Sequence, residues 1–216
     1  MYVAKRFVNV GKEGPVSLDD NREAVEDEVK NVVVGRWLRN KFCDTANHKG
    51  VNICSGESNY SITHIIREVV TPPGDPTDDT ADDAADKPLA FGTVWLVEPL
   101  RPSQVTKFSG TMVFPKPKTP LECTLHAFVH YVFQISGSSL VYADLQGTPG
   151  IVKDRDGTLL FDPMVHTPKG CNSVGDHGNE GIETWKKQHI CESMCLGLEL
   201  PSVQPATAQN EAEGED

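Results

Sequence analysis

No stretch of this sequence approaches the ~20 consecutive apolar residues of a membrane span, and none gathers the clustered Lys and Arg of a nucleic-acid surface. The start, "MYVAKRFVNV", lacks the apolar stretch and the small-residue cleavage site of a secretory signal. Basic residues are missing from two acidic stretches, "DPTDDTADDAAD" (75–86) with six Asp and "EAEGED" (211–216) with four acids. Those ten charges account for nearly all of the formal net charge of −11, so the rest of the 216-residue chain is close to neutral. A nucleic-acid binder is excluded on that ground, and so is attachment to an anionic membrane by charge. There is no internal repeat, and no dinucleotide-binding unit surrounds the glycines of "GDHGNEGI" (175–182).

With no secretory signal, the six cysteines are expected to be reduced thiols of an intracellular, most simply cytoplasmic, protein. Closely spaced cysteines then find their natural use in metal binding. "KKQHICESMC" (186–195) carries H-x-C-x-x-x-C, formed by His189, Cys191 and Cys195. Zinc takes four such ligands in a tetrahedron. A helical turn over 191–195 would set both sulfurs on one side, and His126, His130, His166 or His177 could supply the fourth ligand. Two small core cysteines beside an exposed histidine would give the same pattern, and spacing alone does not separate the two.

The chain is long enough for one large domain with a real core. "MYVAKRFVNV" alternates as a strand, and 21–47 repeats Val25, Val29, Val32, Val33, Trp37 and Leu38 at helical steps. Strands are expected at 61–70 and 90–100, with a helix from 119 to about 133. Two further strands, 138–147 and 159–166, are separated by the turn signal "KDRDG" (153–157). A glycine-rich loop and helices follow over 178–198. Residues 71–88 and those from Pro201 onward have no apolar periodicity and read as a disordered insertion and tail. The fold class is α+β.

Two acids stand at strand ends: Asp144 in "ADLQG" and Asp162 in "LFDPM". Mg²⁺ takes one or two carboxylates together with phosphate oxygens, so these acids with Gln146 could hold a metal–nucleotide. Asp before Pro or near Gly is also ordinary turn chemistry. Lys5 on the first strand and Glu28 on the next helix could form the ion pair that positions nucleotide phosphates, or be two solvated charges.

The order of these pieces carries more than any one of them. Lys5, Glu28, "VWLVEPL", "AFVHYVF", "ADLQG", "FDP", "GNEGI" and "HICESMC" follow one another as in the alpha-kinase family of atypical protein kinases, which the chain resembles from about residue 2 to 201. The resemblance implies a two-lobed kinase fold, with an N-lobe over about 1–100, a C-lobe over about 101–201 and a disordered tail over 202–216. It implies a structural Zn²⁺ in the C-lobe on His130, His189, Cys191 and Cys195. It also implies an ATP- and Mg²⁺-dependent serine/threonine protein kinase acting on a protein substrate. By the same resemblance Lys5, steadied by Glu28, contacts the ATP phosphates, and the segment of Glu98 and Leu100 holds the adenine. Asp144 and Asp162 are the essential acids, Gln146 and Asp162 ligate magnesium, and Gly178 and Gly181 belong to a loop that recognises peptide substrate.

Three departures from the family pattern stand out. The strands that usually precede "VAK" are not in this sequence, so a truncated N-lobe is expected, with a catalytically impaired binding module as the alternative. About eight extra residues, "GIVKDRDG" (150–157), lie between Asp144 and Asp162 and bring the rival acids Asp154 and Asp156. Ser173 stands where the glycine motif commonly begins with Gly.

Overall fold

A computed structural model describes residues 1–8, 16–54, 58–70, 90–152 and 154–204. Its elements run β1 (Tyr2–Lys5), α1 (Leu18–His48), β2 (Ser58–Tyr60), β3 (His64–Val70) and β4 (Ala90–Pro99). Then follow β5 (Thr106–Lys107), α2 (Pro120–Ile135), β6 (Val141–Ala143), β7 (Gln146–Val152) and β8 (Arg155–Phe161). β9 (Met164–His166), α3 (Gly178–Gln188) and α4 (Ser193–Gly197) complete the chain. Met1–Val29 and Ile62–Leu100 form one compact unit; Lys30–Ser61 and the chain from Arg101 onward form a second. No helix among the described residues is long and apolar enough to cross a membrane. The acidic stretches 75–86 and 211–216 lie outside the described residues.

The first unit is an antiparallel sheet in the order β1-β4-β3. Its small core joins Val25 and Val29 of α1 to Val94 and Leu96 of β4. α1 starts where Ser17 Oγ accepts the amide of Asp20, a donor the first turn cannot satisfy itself. The buried Asn21 then takes the Phe7 amide and gives its own Nδ2 to the Val94 carbonyl at 2.8 Å, fixing helix to sheet.

The second unit is built on α2. Thr119 and Glu122 form a reciprocal capping box and Pro120 occupies the first turn, where its missing N–H costs nothing. The helix is apolar nearly all round, and nine consecutive or near-consecutive positions between Thr124 and Phe133 are buried. Phe128 meets Phe42 and Tyr142, both at ring-centroid distances of 5.8 Å. Gly35 lies inside α1 because a Cβ there would meet the rings of Tyr60 and Tyr142 at 2.8 and 2.9 Å.

The strands differ from the expected ones in an informative way. β6–β7 and β8–β9 are one long two-stranded ribbon in a single register, from Val141↔His166 through Gln146↔Phe161 to Val152↔Arg155. It is interrupted at 144–145 and 162–163. The expected strands 138–147 and 159–166 are thus each cut in two. Pairing runs as far as Val152↔Arg155, so the chain does not turn at the Asp156–Gly157 step, which pairs inside the hairpin with Gly150 and Ile151. Tertiary pairing overrides the local turn signal there. β2 adds parallel to β8, and β5 adds antiparallel to β7. The expected strand 61–70 begins only at His64. At the far end the described chain continues past residue 201, with Val203 buried.

Phe128→Ala should lower unfolding free energy by about 3–5 kcal/mol, the cost of emptying a large core site. Val113→Ala, 63% exposed, should change it by less than about 0.5 kcal/mol. Urea unfolding of the two variants gives the comparison, and equal midpoints would place Phe128 outside the core.

Candidate active site and metal centre

In the first unit, β1 and β4 pair Val3 with Glu98 and Lys5 with Leu96, so Lys5 and Glu98 are diagonal neighbours on one face. Their side chains meet: Lys5 Nζ is 2.5 Å from Glu98 Oε1, and Glu98 is 1% exposed. A carboxylate so far from water needs a cation beside it, and Lys5 supplies one. Glu28 lies half-buried on α1 in the same unit. Leu100 follows β4, half-exposed, with its amide engaged by the Met1 carbonyl at 3.1 Å.

In the second unit the ribbon break is where the acids stand. The register that runs on either side would set Asp144 against Pro163 and Leu145 against Asp162. Pro163 has no N–H to continue the ladder. The partners for 144 and 145 come from the segment that follows β5: Asp144 N donates to the Gly110 carbonyl at 2.9 Å, and Leu145 N to Ser109 Oγ at 3.0 Å. Both acids take left-handed backbone angles, φ 48° at Asp144 and 45° at Asp162. Non-glycine residues enter that region rarely, Asp and Asn most readily, and such strain gathers at functional sites. Gln146 opens β7 directly beyond the break, paired with Phe161 and Lys107.

Each acid has a cation. Lys107 Nζ lies 2.8 Å from Asp144 Oδ1. Arg101 stacks its guanidinium 3.8 Å from the Phe161 ring centre and brings Nη2 to 3.8 Å from Asp162 Oδ2. Sequence reasoning singled out neither. Lys107 is placed by the pairing of β5 with β7, a contact across some forty residues that no local spacing announces. Asp154 sits at the hairpin tip with φ 63°, and Asp156 is exposed within β8.

A second cluster gathers four residues that could hold a metal ion. Ligand atoms of His130, His189, Cys191 and Cys195 all lie within 4.8 Å of one another. His130 comes from α2, His189 caps α3, Cys191 lies in the connection and Cys195 in α4. Cys191 and Cys195 therefore do not share one helical turn, as the expected helix over 191–195 would require. His130 Nε2 bonds the Pro201 carbonyl at 2.9 Å, which turns Nδ1 inward. His189 Nε2 is 3.1 Å from that Nδ1, Cys191 Sγ 3.7 Å from it, and Cys195 Sγ 3.8 Å from His189 Nε2. Ligands at zinc bond lengths in a tetrahedron stand about 3.3 Å apart for two nitrogens and about 3.6 Å for nitrogen and sulfur, so the donor set fits a zinc ion. Burial, then the neighbouring imidazoles of His130 and His126, pushes His189 down to about 3, leaving it in the neutral, ligating form. Burial pushes the Cys195 thiol up to about 11, where only a bound cation would ionise it at neutral pH.

Of the other candidate histidines, His126 stacks on His189 at 6.1 Å. His166 and His177 pair with each other at 5.7 Å, in a different place. Gly178 begins α3 with φ 63°, and a Cβ on Gly181 would run into the His166 ring.

The sequence profile of the alpha-kinase family matches residues 1–195, and the chain belongs to that family. It is similar to Alpha-protein kinase 1 of Dictyostelium discoideum, 33% identical over 90 residues, 41% of this chain and 6% of that protein. It is similar to Eukaryotic elongation factor 2 kinase of Mus musculus, 29% identical over 93 residues, 43% of this chain and 12% of that protein. The chain thus spans only 6–12% of the length of these relatives. Its fold matches the alpha-kinase domain of Myosin-II heavy chain kinase A, solved in complex with adenosine, with a TM-score of 0.58 and 22% identity over 93% of this chain and 62% of that one.

A left-handed backbone at 162 can be tested without any assay of activity. Asn tolerates that conformation and a β-branched residue does not, so Asp162→Val should be less stable than Asp162→Asn by about 1–2 kcal/mol. Thermal unfolding of both reports it, and equal melting temperatures would mean an extended backbone at 162.

Proposed function

We propose that the chain is an ATP-dependent serine/threonine protein kinase of the alpha type, moving the γ-phosphate of ATP to a protein hydroxyl. What supports this most is the ribbon break. Two carboxylates and an amide, Asp144, Asp162 and Gln146, stand at the break on backbone that cannot shift without breaking two ladders. Phosphoryl transfer asks mainly for positioning and charge neutralisation; that arrangement supports the first and offers ligands for the cation that would provide the second.

The roles are those that family membership suggests, and the geometry is compatible with them. Gln146 and Asp162 would hold Mg²⁺, which when bound neutralises the phosphate oxygens. Asp144 would polarise the substrate hydroxyl or help hold the metal, and Lys107 Nζ at 2.8 Å fixes that carboxylate in place. Lys5, held by Glu98, would give its charge to the ATP phosphates, with Glu28 as a further acid on α1. The β4 end, Glu98 to Leu100, would hold the adenine, and Gly178 and Gly181 at the start of α3, with the loop before them, would receive the protein substrate. His130, His189, Cys191 and Cys195 would hold a structural Zn²⁺. Filled by four protein ligands, that ion would tie α2, α3 and α4 together and take no part in chemistry.

Radiolabelled phosphate transfer from ATP to a generic basic protein tests the reading. Asp162→Asn should lower the rate at least ~100-fold, the scale of losing a key electrostatic group. Asp154→Asn, at the hairpin tip, should change it little. The reverse ranking would put the hairpin tip in the active site. A folded wild type with no transfer to any protein hydroxyl would leave the chain a kinase-like binding module.

Elemental analysis of protein purified without added zinc should find about one equivalent per chain. Cys195→Ser should abolish it and lower the melting temperature steeply, because metal binding and folding are linked. A metal-free wild type that melts cooperatively at the same temperature with and without zinc would remove the site.

A further inference from the structure

The connection from Thr167 to His177, between β9 and α3, has no regular structure, yet its backbone closes on one carboxylate. Asp176 Oδ1 accepts the amides of Thr167 at 3.0 Å and Gly178 at 2.9 Å. Its Oδ2 accepts Thr167 Oγ1 at 2.6 Å and the Asn172 amide at 3.1 Å. Burial alone would raise the pKa of this acid, but the hydrogen bonds outweigh it and hold the group below the usual range. At the base of the loop the buried His166 bonds the Thr111 carbonyl through Nε2 and accepts the His177 amide on Nδ1 at 3.2 Å. The loop is therefore a closed, preformed object.

One group of the loop points away from that closure. Asn172 Nδ2 donates to Asn31 Oδ1 at 2.8 Å, and Asn31 is a buried residue of α1. The carbonyl of the same Asn31 accepts the hydroxyl of Tyr142 at 3.1 Å, and Tyr142 stands two residues before Asp144. Asn31 thus touches both the loop ahead of Gly178 and the strand that presents the first acid. Asn172 itself is only half-buried, so core packing does not require this bond.

We propose that the Asn172–Asn31 hydrogen bond is a latch that fixes the 167–177 loop in register with Asp144, making Asn172 a positioning residue for the protein substrate. The inference rests on the kinase reading and assigns a determinant of its substrate affinity. Because Asp176 closes the loop on itself, losing the latch frees the loop as a unit without unfolding it. The consequence falls on the protein substrate, which would meet the loop, and not on ATP.

Steady-state kinetics with a basic protein substrate tests this. Asn172→Ala, and the near-isosteric Asn172→Leu that lacks the amide, should raise KM for the protein about fivefold, the scale of one neutral hydrogen bond. The KM for ATP and kcat should stay within about twofold and the melting temperature within about 2 °C. Asn31→Leu should raise the same KM, and combining it with Asn172→Ala should add nothing further. An active wild type whose variants keep the wild-type protein KM overturns the latch and leaves the kinase reading intact. A fall in kcat in step with a lower melting temperature also overturns it, since that marks a merely structural bond. A folded wild type inert toward every protein hydroxyl overturns the kinase reading, and the latch with it.

Discussion

Proline has no amide hydrogen to give, and at position 163 that lack shapes the centre of the second unit. A ribbon running in one register from Val141↔His166 to Val152↔Arg155 would otherwise be a plain hairpin, its acids alternating in and out like any strand residues. With no donor at 163 the ladder opens for two residues on each side. Asp144 and Leu145 find other partners in Gly110 and Ser109, and both acids turn through the left-handed region. The carboxylates leave the sheet while intact ladders grip the chain on either side. A site built this way is stiff, as a phosphoryl-transfer centre needs to be.

The same economy of parts holds the end of the chain. His130 is fixed by the Pro201 carbonyl, His189 lies where α3 stops, and Trp185 packs against both imidazoles and against Phe133. Three histidines and Cys195 share a buried region, which favours neutral imidazole and un-ionised thiol alike. Such a region is poor for charge unless a cation enters, and good for a cation because its nitrogens already face one point.

The sequence was most legible where chemistry is local. α1 and α2 announce themselves by apolar period, and the spacing of His189, Cys191 and Cys195 is visible to the eye. The ribbon was legible only in pieces. The Asp–Gly step of "KDRDG" is a strong turn signal, yet Asp156 and Gly157 pair within the hairpin, because pairing along β7 and β8 outweighs that one step. The break at 144 and 162 had to wait for the register, since only the pairing shows that Asp144 would have faced Pro163.

Lys107 shows why the remainder could not be read. Its neighbours in sequence, "QVTKFSG", have no motif and little apolar pattern, and a lone exposed lysine is ordinary. What gives it meaning is β5, two residues long, lying beside β7 so that Lys107 pairs with Gln146. Two residues are too few to show a period, so no window of the sequence could announce the strand. Yet the short strand is enough to carry an ammonium to Asp144. Arg101 reaches Asp162 by a comparable route, its guanidinium resting on Phe161, the residue before that acid. In both cases the cation approaches from the neighbouring chain segment while the acid is set by the ribbon.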